Sequence, residues 1–127
     1  MAIKCFEDIV AWQKAQDFSV FIYKSFGDLK DWDFRSQICR ASVSISNNIA
    51  EGFDRGTKPE FKRFLYISLA STSEVKSMLY LAKRLNYVDE ITFITLLSQA
   101  QEISKITNGL IKSIAWHLTP DHLIPNY

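Results

Sequence analysis

The run FRSQICRASVSISNNIAEGFDRGTKPEFK, residues 34–62, decides the fold. Phe34, Ile38, Ala41, Ile45, Ile49 and Phe53 recur every three or four residues, the spacing that puts side chains on one face of an α-helix. Beside them runs a polar stripe of Gln37, Arg40, Ser44, Asn47, Glu51 and Arg55. Serines and asparagines are mediocre helix formers, so this helix must be held by packing rather than by propensity. Ala50 and Gly52 are small enough for a neighbouring backbone to come close. A stripe of Ser and Asn with one Arg and one Glu inside it is unlike a solvated Lys/Glu face. It reads as partly buried, with Arg40, Ser44, Asn47, Asn48 and Glu51 as a hydrogen-bonded network that fixes helix register and subunit contacts. Gly52 and Gly56 then break the helix. Thr57-Lys58-Pro59-Glu60 has the form of a capping box: Thr57 accepts from the Glu60 N–H, the Glu60 carboxylate returns to Thr57, and Pro59 sits in the first turn, where a missing donor does no harm.

Outward from this run the same rhythm continues. Ile9, Trp12, Ala15, Phe18 or Ser19, Ile22 and Phe26 mark a first helix, ended by Gly27-Asp28, and Asp31 or Asp33 caps the second. Trp32, between them, reads as a plug for one end of the molecule. Phe61, Phe64, Leu65, Ser68, Thr72, Val75, Leu79 and Ala82 carry the third helix, the longest at about 42 Å for its roughly 28 residues. Asn86 is suited to the left-handed conformation that stops it. Asp89 caps a fourth helix with a face read as Ile91, Ile94, Leu97, Gln101, Ser104, Ile106 and Leu110. Short connections favour antiparallel packing of sequence neighbours. The expectation is one all-α domain over residues 1–127, an up-down-up-down four-helix bundle. Its helices fall near 9–26, 33–53, 58–86 and 90–112, followed by an apolar tail over 113–127 that docks on its own bundle or on a neighbour.

The run QICRASVSISNNIAEGFDRGTKPEFKRFLYISLASTSEV, with Phe6 to Ile9, Trp12 to Ala15 and Leu85 to Val88, resembles the signature of the four-helix-bundle family named for the 23S ribosomal RNA intervening sequence. The resemblance spans roughly residues 5–112 and centres on Arg40, Ser44, Asn48, Ile49, Ala50, Glu51 and Gly52. It is a signature of fold rather than of catalysis. It implies a pentameric, ring-like homo-oligomer, similar to the accessory protein of diversity-generating retroelements, which engages nucleic acid and a reverse transcriptase.

Composition narrows the function classes. At 127 residues, 47% hydrophobic and 23% charged, the chain supports one proper core and not two. No window is apolar over the eighteen or so residues of a membrane span, and the start MAIKCFEDIVAW lacks the pattern of a secretory signal, so no membrane partner and a cytoplasmic location are expected. Cys5 and Cys39 are accordingly read as free thiols.

Catalytic chemistry finds little support. A di-metal bundle site needs inward carboxylates and Glu-x-x-His pairs. The two histidines, His117 and His122, lie in the tail with no Glu three residues before either. Neither Cys has a histidine nearby in sequence, and the glycines at 52 and 56 fit no phosphate loop. No catalytic residue, metal or cofactor is expected. The alternative is an enzyme or small-anion site built on Arg40, Asn48 and Glu51, since Arg suits bidentate anion recognition.

Charge is the remaining clue. The chain is net +1, yet residues 35–63 carry six basic and three acidic side chains, against net −2 before them and 0 after. Arg55, Lys58, Lys62 and Arg63 surround the capped turn, and a ring would gather copies of them into a basic rim able to meet phosphates, with Phe53 and Phe61 for stacking. The expected function is a non-enzymatic oligomeric binding or scaffolding protein. Its expected partners are further copies of itself, RNA or DNA at that rim, or another protein.

Overall fold

Caps and turns cut the chain into helices close to the positions expected from sequence. The computed structural model describes residues 2–116 and 124–125, with α1 at Val10–Phe26, α2 at Trp32–Asp54, α3 at Lys58–Arg84 and α4 at Glu90–Trp116. Asp31 accepts from the Phe34 N–H at 3.1 Å and Asp89 from the Thr92 N–H at 2.7 Å, each satisfying a donor that the helix start leaves open. Thr57 accepts from the Glu60 N–H at 3.4 Å. The reciprocal half of that capping box is replaced, because the Glu60 carboxylate is drawn to the Arg63 guanidinium at 2.7 Å instead. Asn86 takes φ 59° after α3, and Gly56 takes φ 85° between α2 and α3.

Each helix packs on its sequence neighbours, and α4 closes the ring of four against α1. The directions follow from individual bonds. Ile45 is paired with Ser68 and Ser44 with Ser71, so advancing along α2 means retreating along α3. The product is the expected antiparallel bundle. Its core holds Phe18, Ile22, Ile38, Ile45, Ile49, Leu65, Leu79 and Leu96, all essentially out of water. The buried face of α3 is the stripe expected from sequence, residue for residue.

One end of the bundle is tied by aromatic groups. Phe34 packs against Phe26 and, edge-on at 5.2 Å, against Tyr87, whose hydroxyl donates to Asp31 at 2.7 Å. Trp32 does not plug this end. It is 73% exposed, because it opens α2 on the outer side while Phe34, two residues on, turns inward.

The face of α4 also departs from expectation. Phe93, Leu96, Ala100, Ile103, Thr107, Leu110, Ile111 and Ile114 are buried, whereas Ile91 is 78% exposed and Ile94 and Gln101 also face water. This helix carries two apolar stripes, and the bulkier one, led by Phe93, took the core. It also runs to Trp116, past the end expected at 112, so the first residues assigned to the tail are helical. Beyond it, Ile124–Pro125 (β2) pairs antiparallel with Ala2–Ile3 (β1) and touches α4, so these two residues of the tail, expected on its own bundle or on a neighbour, lie on their own chain. His117 and His122 lie outside the described residues.

Candidate functional site

The polar stripe of α2 is not a buried network within the protomer. Arg40, Asn47 and Glu51 are exposed, and Ser44 and Asn48 are half-buried. Asn48 donates to the Ser44 carbonyl at 2.7 Å and to its hydroxyl at 2.9 Å, and Ser44 meets Ser71 of α3 at 2.9 Å. Glu51 turns along its own helix to Arg55 at 3.2 Å. Arg40 and Glu51 are eleven residues apart, about 16 Å along the axis, so they cannot close on one small ligand. Arg40 instead borders a polar hollow of about 300 Å³ with Gln37, Ala41, Ser44, Ser71 and Glu74. The Glu74 carboxylate there opposes an anion. The buried polar groups of α2 are instead Ser42 and Ser46, outside the stripe, and they are joined on α3 by Ser68 and Thr72 of the face expected from sequence.

At the capped turn the arginines are already engaged. Arg55 pairs with Glu51 and Arg63 with Glu60, and both guanidiniums lie over the Phe64 ring, at 5.0 and 4.6 Å from its centroid. Arg63 holds the Glu60 carboxyl below its ordinary range, while its own guanidinium is pushed up by the same contact. Lys62 is half-buried, and Lys58 also has a partner. Phe61 is fully buried and Phe53 half-buried against it, so neither ring is open for stacking. Geometry therefore brings the four cations of the turn together but offsets much of their charge.

A different surface joins cations to open aromatic rings. Between α1 and α2, Tyr23, Trp32, Arg35, Ser36, Cys39 and Arg40 line a hollow of about 240 Å³. It continues past Tyr23 into a second of about 380 Å³, bordered by Gln16, Ser19, Val20, Lys24, Val43 and Ser46. Burial pushes the Cys39 thiol up, with Arg35 acting weakly against it. The signal available in sequence was the interleaving of Tyr23, Lys24, Trp32 and Arg35 across one helix junction.

Residues 7–109 match the family described as 23S rRNA-intervening sequence protein. The chain belongs to that family. Among solved structures it is similar to a protein of unknown function from the S23 ribosomal protein family of Bacteroides thetaiotaomicron, at 28% identity and a TM-score of 0.76 over 81% of this chain and 99% of that one. No curated protein matches the chain. The family match covers all of α1, α2 and α3 and most of α4, so both the polar stripe and the α1–α2 hollows are parts of the family domain rather than additions to it. Among the described residues no helix is long and apolar enough to cross a membrane.

Proposed function

We propose that the protein is a non-enzymatic, homo-oligomeric helical scaffold that works by binding. The observation that carries this reading is the second apolar stripe of α4. Ile91 and Ile94 stand in water at the same end of the bundle as Tyr80, Leu81 and Leu85 of α3, all exposed. Apolar area left in water forgoes about 25 cal/mol per Å², which burial against another copy recovers. The polar stripe of α2, with an unpaired Arg40 among the described residues, supplies directional groups for a further contact. With Arg40 unpaired among the described residues and four cations gathered at the capped turn, RNA or DNA is the polyanion to offer such a scaffold.

Light scattering at several micromolar tests the oligomer. A pentamer scatters as about five times the 14.7 kDa protomer, and Ile91→Asp with Ile94→Asp should lower that mass. A wild-type protein that stays at protomer mass overturns the reading.

A further inference from the structure

We infer that the paired hollows between α1 and α2 are a stacking site for single-stranded nucleic acid. This rests on the protein acting by binding, and not on its oligomeric state. Along α2, Trp32, Ser36, Cys39 and Val43 follow one another at three- and four-residue steps and form the midline of the surface, with Arg35 and Arg40 on either flank. From α1, Tyr23 stands between the two hollows and Lys24 borders the outer one. Lys24, Arg35 and Arg40 have no carboxylate partner among the described residues, and no carboxylate lines either hollow. The rings are exposed as well, Trp32 at 73% and Tyr23 at 50%, and the Arg35 guanidinium lies over one face of Trp32, 5.4 Å from the ring centroid.

Exposed rings flanked by unpaired cations are what an unpaired strand needs, since each base offers a π-face and each phosphate a charge. A cavity of about 150 Å³ already accepts benzene, so the inner hollow at about 240 Å³ has room for a base-sized ring. A second copy of the chain is the poorer occupant. Its exposed apolar end carries Arg84, and Glu90 there is already taken by Lys83 at 3.1 Å, so docking it here would add a cation beside Lys24, Arg35 and Arg40 without a spare partner for them. A polyanion brings the missing charge.

The test is fluorescence anisotropy of a labelled single-stranded RNA or DNA of mixed sequence, at low and moderate salt, with the full chain. Binding should be tighter to the single strand than to the duplex, whose bases are already stacked, and only weakly dependent on sequence. Trp32→Ala with Tyr23→Ala should weaken it about tenfold or more, and Trp32→Phe should retain most of it. Replacing Lys24, Arg35 and Arg40 by Gln should flatten the logarithmic salt slope by about 2, roughly 0.7 per phosphate. Circular dichroism should be unchanged, because these side chains lie outside the core. The inference is overturned by absence of binding at low salt, by binding indifferent to Trp32 and Tyr23, or by loss confined to an Arg55/Lys58/Lys62/Arg63 variant. It is equally overturned if the Trp32 and Tyr23 variants change the scattering mass, which would make the surface a subunit interface.

Discussion

Where α2 meets α3, small residues, Gly52, Ser42, Ser46 and Ser68, are buried among the large ones; the buried face of α4 is led by Phe93, Leu96, Ile103 and Leu110. A Cβ built on Gly52 would stand 2.4 Å from the Phe64 Cβ, so the two helices touch almost backbone to side-chain root. A little further along, the buried Ser68 hydroxyl donates to the Ile45 carbonyl at 2.8 Å, and Thr72 donates to Ser68 at 2.9 Å. Polar groups at this seam are satisfied. In α4 the buried Thr107 and Ser113 hydroxyls have no partner among the described residues. One seam is specified by close approach and directional bonds, the other by bulk. The first tolerates a single register, whereas the second leaves a spare apolar stripe outside.

That contrast can be broken most forcefully at Gly52. Gly52→Val should cost about 3 kcal/mol in chemical denaturation, since its added carbons meet the fixed root of Phe64 rather than a flexible tip. A loss below about 1 kcal/mol would mean that the seam gives way easily and is not close-packed. Ser68→Ala should cost about 1.5 kcal/mol by the same measurement, for one lost buried hydrogen bond and a small void. The opposite sign is expected across the bundle. Thr107→Val removes a hydroxyl that has no partner among the described residues and should raise stability by up to about 1 kcal/mol, and a clear loss would show that it is bonded elsewhere in the chain. Smallest of all, Glu51→Ala should move the thermal midpoint hardly at all, within about 0.5 kcal/mol, because its pair with Arg55 is an exposed one. A loss near 3 kcal/mol in the isolated protomer would restore the buried network to α2.

The same contrast explains what could be read without coordinates. Caps were legible, since Asp31, Thr57 and Asp89 act within three residues of themselves, and Asn86 needs only its own backbone preference. The face of α3 was legible because one apolar stripe stands against a polar remainder. Periodicity alone fails where two stripes compete. Ile91 and Ile94 keep the rhythm as well as Phe93 and Leu96 do, and volume, not spacing, decides which pair is buried. For α2 the buried serines lie across the helix from the polar stripe: at about 100° per residue, Ser42 and Ser46 stand roughly 150° around from Arg40, Ser44 and Asn47, with the apolar stripe between them. The α1–α2 hollows escaped because they join residues from two helices, and a stripe on either one shows only half of each.

The Tyr87–Asp31 bond has a consequence in the language of proton linkage. Asp31 receives the Tyr87 hydroxyl on one carboxylate oxygen and the Phe34 N–H on the other, and these donors, Tyr87 first, hold its carboxyl below the usual carboxylate value. A group with a folded-state value below its unfolded one, about 3.9 for Asp, contributes stability that is present in full above the unfolded value and is lost as pH falls through the lower folded value. Protonation therefore weakens the helix cap and the tie between the α1–α2 and α3–α4 connections in one step, while the Ser68 to Ile45 bond between α2 and α3 joins a hydroxyl to a carbonyl and loses nothing to acid. Protection of the Phe34 and Tyr87 amides, measured against their intrinsic exchange rates, should fall below about pH 4 ahead of that of Ile45 and Ser68, and Tyr87→Phe should shrink that difference. If all four amides are released together, acid opens the bundle as a single unit rather than from this latched end.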